Sequence, residues 1–397
     1  MLQNTGGLAV LQPNATVADL DLSHATRAEG LYVHAPFCVH KCGYCDFYSV
    51  TSQDDRQADW ADGVVAELDA MRERITVAPR TIFVGGGTPT LLTPTTWQSL
   101  WGRIGQRVDL SGVEEFTVEA NPETVTPELL TALVGLGVNR VSIGCQSFQP
   151  ELLATLERSH DPASVGAAVA MARDAGIDNV SLDLIYAVPG QSLDQLDADL
   201  DPALSLAPSH LSCYSLIFEP GTALTARRDR GRVRPIDNDL EAAMYRRVID
   251  RLADAGFEHY EVSNWARPGL ACEHNLVYWR NRNWLGLGPS AASHADGLRW
   301  KNAPHLGRYL GSPGDPPIVD VERLDPDAAI GEELMLRLRL REGVPDAWLD
   351  THAPPGSSRG DVIERYTQAG MMERIDGRAR LTARGLMVAD ALLGELL

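Results

Sequence analysis

Tyr32–Phe47 reads YVHAPFCVHKCGYCDF. Together with Leu31, its first half is a short apolar and β-branched run, LYVHAPF, of the kind that forms a buried strand. Its second half sets Cys38, Cys42 and Cys45 within eight residues, on the loop that follows that strand. Asp46 and Phe47 stand where a fourth thiol would fall. A strand that hands three clustered thiols to its own C-terminal end suits a sheet whose strand ends converge.

Five further runs repeat the strand pattern: TIFVGGG, EEFTVEANP, RVSIGCQSF, NVSLDLIYAVP and HLSCYSLIF. Helical periodicity fills the gaps over Trp60–Arg74, Thr96–Val108, Pro127–Leu136, Ala163–Ala175 and Leu193–Leu206. Thr126 before Pro127 and Asp161 before Pro162 are helix-start signals, and Gly137 and Gly176 are stop signals. Strands alternating with helices imply a parallel sheet with crossover helices. Near-continuous apolar strands agree, because such sheets are covered on both faces. Polar residues gather towards strand ends, at Glu119 and Asn121, Gln146 and Ser147, and Asp183. That favours a barrel, where those ends share one mouth, over an open doubly wound sheet. Six units instead of eight predict a partial (β/α)6 TIM-like barrel, open on one side.

After the barrel, Asp239–Gly256 reads as a helix and HYEVSNWA as a strand. SPGDPP, Ser312–Pro317, reads as a linker. Beyond it come helices over Ala328–Leu340 and Gly360–Ala369, a hairpin turning at Asp376-Gly377, and a final helix over Ala383–Leu397. Helices followed by a hairpin predict a C-terminal winged-helix-like α+β module. The expected divisions are an N-terminal extension 1–28, the barrel 29–265, a motif and linker segment 266–325, and the module 326–397.

The chain has 397 residues and a formal net charge of −19, which argues against phosphate-driven binding of nucleic acid by the main body. Arg374, Arg378, Arg380 and Arg384 form a basic patch in the module, but acids lie nearby. No apolar run is long enough to span a membrane, so no integral membrane segment is expected. The N-terminus lacks the pattern of a secretory signal. Six cysteines without an export signal fit a reducing cytoplasm.

What three thiols hold is the chemical question. Structural zinc wants four ligands, usually in two pairs. Cys145, Cys213 and Cys272 stand singly and far away, although His40 could complete a zinc site. A disulfide reading fails on compartment and on the odd number. A [4Fe–4S] cluster normally takes four thiolates, so three leave one iron with open coordination. Gly85-Gly86-Gly87-Thr88-Pro89, ending the second strand, would let backbone approach a ligand closely.

YVHAPFCVHKCGYCDF, GGGTPT, VEANP, GVNRVSIGCQSF, DLIYAVPGQ and EHNLVYW together resemble the branch of radical S-adenosylmethionine proteins long labelled oxygen-independent coproporphyrinogen III oxidase. The resemblance runs from about Gly30 to the C-terminus. It implies a [4Fe–4S] cluster on Cys38, Cys42 and Cys45, with S-adenosylmethionine chelating the open iron. The cluster's electron would cleave the sulfonium to a 5′-deoxyadenosyl radical, and an electron donor such as flavodoxin or ferredoxin would be needed. Gly86, Gly87 and Thr88 would lie by the cofactor's amine and Tyr44 by its adenine. Tyr32, Glu119, Gln146, Arg158 and Asp183 would line the remainder, with Arg158 suited to the carboxylate. For each, a plain loop or surface salt bridge is the competing role.

The branch has two arms. The dehydrogenase arm carries CxxxCxxCxC, and its fourth cysteine position is Phe47 here. The heme-chaperone arm, HemW, has phenylalanine there and an H-N-x-x-Y-W motif, matched by His274-Asn275-Leu276-Val277-Tyr278-Trp279. The resemblance therefore implies a heme chaperone that passes heme to an acceptor, such as a respiratory enzyme. Physically, an imidazole is a usual axial ligand of heme iron, and Tyr278 and Trp279 offer flat faces to a macrocycle. The opposing reading has His274 capping a turn and the aromatics filling core. GLGPSAAS, Gly286–Ser293, would let backbone approach a large flat ligand. The competing function is radical decarboxylation of coproporphyrinogen III, and a third is transcriptional regulation through the module.

Overall fold

The computed structural model describes residues 15–51 and 56–397. β1 (Arg27–Ala35), β2 (Thr76–Gly86), β3 (Glu115–Ala120), β4 (Arg140–Gln146), β5 (Asn179–Tyr186) and β6 (His210–Ser215) lie side by side in chain order, each pair parallel. Val33, Ile82, Val118, Val180, Leu182 and Leu211 are fully buried, as expected of strands covered by crossover helices. Those helices start where their caps say. The Thr126 hydroxyl accepts from Leu129 N–H, the Asp161 carboxylate accepts from Ala163 N–H, and proline follows each. Gly137 and Gly176 then end their helices at φ +94°, where a side chain would be strained.

The sheet grows on both flanks and does not close. Past β6, the expected strand HYEVSNWA is a hairpin, β7 (Glu258–Glu261) and β8 (Asn264–Ala266). The Glu261 carboxylate makes the turn by accepting from Ser263 N–H at 3.1 Å. On the other flank β9 (Trp284–Leu287) pairs parallel with β1. β10 (Ala292–Ala295), β11 (Leu298–Asn302) and β12 (Ile318–Arg323) extend it antiparallel. One twelve-stranded sheet results, with β12 and β7 at its edges. Residues 266–325, read as motif and linker, thus supply four of its strands. SPGDPP is a pinned loop: Val17 N–H donates to Pro316 O at 3.1 Å and Ala18 N–H to Asp315 at 2.8 Å. Within the expected extension 1–28, residues 1–14 lie outside the described residues, while Val17, Leu20 and Leu22 are buried.

The C-terminal module carries helices Pro326–Leu338, Asp346–His352 and Ser358–Gln368, then the hairpin β14 (Met372–Ile375) and β15 (Arg378–Leu381). β13 (Val344–Pro345) pairs with β15 to complete a winged-helix-like unit. Asp376 and Gly377, at φ +52° and +73°, make the two-residue turn. The expected single helix over Ala383–Leu397 is instead two, Ala383–Leu386 and Ala389–Gly394. The first is clamped to the hairpin, since a Cβ on Gly385 would lie 2.0 Å from Met371 O. The second turns away to seat Leu392 and Leu393 in the core, and Leu396 O accepts from Arg359 Nε. In the basic patch, Arg374 pairs with Asp346, Arg380 with Glu373, and Arg378 donates to backbone carbonyls. No helix among the described residues is long and apolar enough to cross a membrane.

Candidate functional site

The loop after β1 folds back on itself: Cys38 N–H donates to Val50 O at 3.0 Å and Val50 N–H to Pro36 O at 2.7 Å. Cys45 N–H closes a tight turn onto Cys42 O. Cys38, Cys42 and Cys45 are partly exposed; Cys145, Cys213 and Cys272 are buried elsewhere. Burial pushes the Cys45 thiol up to about 11, with Cys42 and Cys38 adding to it, so the three sulfurs share one neighbourhood. Arg158 Nη1 donates to Cys42 Sγ at 3.6 Å, and the Thr88 hydroxyl lies 3.6 Å from Cys38 Sγ. Among the described residues no three His, Cys, Asp or Glu groups converge closely enough to chelate one metal ion. A [4Fe–4S] cluster takes each thiolate on a different iron, and three partly exposed thiols on one loop beside the Arg158 guanidinium are a donor set that would suit it.

Around this loop the structure brings together most of the residues expected to hold S-adenosylmethionine. Gly86 N–H donates to Glu119 Oε2 at 3.0 Å. Gly86 sits at φ +109°, and a Cβ there would lie 2.5 Å from the His34 ring; one on Gly87 would lie 2.6 Å from Phe37 O. The glycine run is thus first a packing device, setting β2 tightly on the cysteine loop. Gln146 ends β4 at φ +63°, a left-handed conformation that is costly outside glycine. Arg158 Nη2 donates to Asn121 Oδ1 at 3.2 Å and Gly144 O at 3.0 Å, while its buried Nε has no partner. An orphaned guanidinium N–H beside the cysteines suits an anionic head group. Tyr44 packs on Leu152, Leu156, Ile185 and Val188. Asp183 and Tyr32 lie deeper. Asp183 accepts from Ser142 and Ser181 hydroxyls, and Tyr32 donates to His34 Nδ1 at 3.0 Å. His34 Nε2–H donates to Tyr48 O, which fixes that tautomer, and burial holds the ring down at about 4.

Behind the loop a cavity of about 670 Å³ runs through the barrel. At one end it meets Asp46, Phe47 and Tyr48, directly after the last thiol. At the other it meets His274, Asn275, Tyr278 and Trp279, on the helix Glu273–Trp279. That helix packs under the N-terminal ends of the strands. A Cβ on Gly30 would lie 3.4 Å from His274 Cε1, and Glu115, opening β3, accepts from Glu273 and His274 N–H. The HNLVYW motif and the cysteine loop therefore stand at opposite ends of the barrel. An aromatic wall joins them: Tyr32 stacks on Phe83 at 6.2 Å, Phe83 on His274 at 5.3 Å, and Tyr278 stands edge-on to Trp284 at 4.6 Å.

His274 is buried with both ring nitrogens bonded, Nδ1 to Thr81 Oγ1 at 2.8 Å and Nε2 to the Tyr278 hydroxyl at 2.9 Å. Burial, helped by Arg140, holds it down at about 3. It does not cap a turn with its ring; it forms part of the cavity wall. Trp279 lies under the Arg339 guanidinium at 5.1 Å, and its buried indole N–H has no partner. Cys272 donates to Glu115 at 3.3 Å. In GLGPSAAS the close approaches are to the chain's own backbone: a Cβ on Gly286 would lie 2.1 Å from Ala292 O, and one on Gly288 2.7 Å from His34 O. Sequence reasoning missed Arg140, Ser142, His210 and Ser212, which line the same cavity from β4 and β6. Their signal was the alternation of polar residues inside strands expected to be apolar.

Residues 32–203 match the Radical SAM superfamily and residues 324–388 the HemN C-terminal domain. The chain is 38% identical to the heme chaperone HemW of Mycobacterium tuberculosis over 377 residues, 93% of this chain and 94% of that protein. It is 38% identical to the HemW of Escherichia coli over 329 residues, 79% of this chain and 83% of that protein. Among solved structures, the coproporphyrinogen III oxidase HemN of Escherichia coli superposes with a TM-score of 0.78 over 94% of this chain and 90% of that one. At 20% identity this last likeness speaks for the fold alone. With full-length relatives at this identity, the chain belongs to the heme chaperone HemW family.

Proposed function

We propose that this protein binds heme and hands it to an acceptor protein, a heme-requiring respiratory enzyme in our reading. The observation that carries this is the aromatic-walled cavity reaching from Phe47 to the His274–Tyr278–Trp279 motif. Its size is in the range of sites for small molecules and cofactors, and its walls offer ring faces with a few polar groups, as a macrocycle requires. The names of the relatives from M. tuberculosis and E. coli support the same reading.

In this proposal Cys38, Cys42 and Cys45 hold a [4Fe–4S] cluster, and Tyr32, Tyr44, Gly86, Gly87, Thr88, Glu119, Gln146, Arg158 and Asp183 receive S-adenosylmethionine. The cluster, when present, supplies one-electron chemistry at an open iron. Arg158 orients an anionic head group through its unpartnered Nε, and the Gly86–Glu119 contact holds the opposite side of the mouth. Tyr44 and its apolar neighbours offer a dry face. His274, Tyr278 and Trp279 receive heme at the other end. We place the protein in the cytoplasm, where its six unpaired thiols stay reduced, with flavodoxin or ferredoxin as electron donor.

The test is to incubate the reconstituted protein with hemin and, separately, with coproporphyrinogen III and a reductant. One equivalent of heme per chain with a ligated-iron Soret band, and no porphyrinogen consumed, is the expected result. Formation of protoporphyrinogen would overturn the chaperone reading in favour of oxidative decarboxylation.

A further inference from the structure

Arg140 opens β4 and is 2% exposed, yet its Nε has no hydrogen-bond partner and no described residue forms an ion pair with it. Its side chain lines the cavity. Glu115 and Asp183 lie close enough to favour its charged form, but neither forms an ion pair with it, and their oxygens accept from other donors. Glu115 accepts from Glu273 N–H at 2.8 Å, His274 N–H at 3.1 Å and the Cys272 thiol at 3.3 Å. Asp183 accepts from the Ser142 hydroxyl at 3.0 Å and the Ser181 hydroxyl at 3.3 Å. A buried guanidinium whose Nε–H makes no hydrogen bond, on the wall of a cavity, keeps bonding capacity for something that enters that cavity.

We propose that Arg140 is the carboxylate-binding residue of the barrel cavity, gripping an acid side chain of a flat, largely apolar ligand. The guanidinium fork meets a planar carboxylate through two parallel hydrogen bonds. A dianionic phosphate fits less well, because Asp183, Glu119 and Glu332 face the same space; of the other cations on the wall, Arg299 pairs with Glu332 and Lys301 lacks the fork. Phe83 and Tyr278 provide the apolar wall on which the body of such a ligand would lie. The inference rests on the heme reading only for the identity of the molecule bearing the carboxylate, which would be a propionate of the porphyrin.

The experiment compares porphyrins with and without free carboxylates on the full, cluster-reconstituted chain. Hemin, metal-free protoporphyrin IX and the dimethyl ester of each are titrated against wild type, Arg140→Met and Arg140→Lys, with unfolding temperatures measured alongside. Wild type should prefer each free acid over its ester by about tenfold to a hundredfold. Arg140→Met should lose that preference, and its unfolding temperature reports how much the fold relied on the cation beside Glu115 and Asp183. Arg140→Lys keeps the charge without the fork, should retain only part of the preference, and serves if the methionine variant does not fold. A preference that survives both substitutions would show Arg140 to be a structural charge and overturn the proposal. Equal binding of hemin and its ester by wild type leaves the heme reading standing and removes the carboxylate site. Arg140-dependent binding of protoporphyrin without any binding of hemin does the reverse. Binding of neither porphyrin removes both.

Discussion

Replacing Tyr278 with phenylalanine is expected to tighten heme binding. Iron takes an imidazole lone pair, and both ring nitrogens of His274 are engaged, by Thr81 at 2.8 Å and by Tyr278 at 2.9 Å. In the tautomer where Nδ1–H donates to Thr81, the lone pair is on Nε2 and the Tyr278 hydroxyl donates to it. Ligation then has to displace that hydroxyl, at a net cost of about 0.5–1.5 kcal/mol. Tyr278→Phe removes the competitor but keeps the ring that stands edge-on to His274 at 4.9 Å and Trp284 at 4.6 Å. Affinity should rise roughly two- to tenfold. The pH profile is a second signature. Protons compete with iron for the same nitrogen, and burial holds His274 down at about 3, so it stays neutral from pH 8 to pH 5. Ligation through it should be flat over that range, whereas a histidine of ordinary pKa would lose about thirtyfold. The assay is hemin titration followed at the Soret band for wild type, Tyr278→Phe and His274→Ala, with unfolding temperature as the control for folding. Weaker binding by a well-folded Tyr278→Phe, or an unaltered spectrum in His274→Ala, would refute ligation by His274.

The remaining predictions concern the other end of the barrel. A triple alanine variant at Cys38, Cys42 and Cys45 should yield no brown chromophore on anaerobic reconstitution, while one at Cys145, Cys213 and Cys272 should; full iron and sulfide in the first would sink the cluster assignment. Arg158→Ala should weaken S-adenosylmethionine binding by roughly 1.5–3 kcal/mol, measured by calorimetry, and unchanged affinity would remove Arg158 from the site. Burial pushes Glu119 up to about 7, with Asp183 adding to it, so the acid is mostly neutral at pH 6 and mostly ionised at pH 8. If its carboxylate receives a cationic group of S-adenosylmethionine, the affinity ratio of wild type to Glu119→Gln should rise about tenfold over that interval. A flat ratio would exclude that contact.

The barrel was legible because its signals are local. A strand run, a capping residue with proline, and a terminal glycine each act within a few residues, so the six units were visible without any knowledge of packing. The flanking strands β9 to β12 were not. WLGL, ASHA, LRWKN and IVDVER are short, and they become strands by adding to a β1 edge that the barrel leaves open. The same holds for the split final helix. Nothing in ARGLMVADALLGELL breaks its periodicity; the Gly385–Met371 contact does, and that contact is tertiary, between the helix and the residue that precedes β14.

The site divides along the same line. Cys38, Cys42 and Cys45 were readable because their spacing alone gathers them onto one loop. That HNLVYW lies at the opposite end of the barrel follows instead from Glu115, at the start of β3, capturing the N-terminus of its helix. The largest omission had a signal that the strand reading discarded. Thr117 and Glu119, Arg140 and Ser142, Ser181 and Asp183, and His210 and Ser212 are pairs two residues apart on neighbouring strands. Period two puts both members of each pair on one face. A barrel filled by its own side chains shows Val, Ile and Leu at such positions. Four consecutive strands carrying polar residues there describe an interior kept open for a ligand. That is why the cavity, and Arg140 within it, could have been inferred from spacing before any coordinates were known.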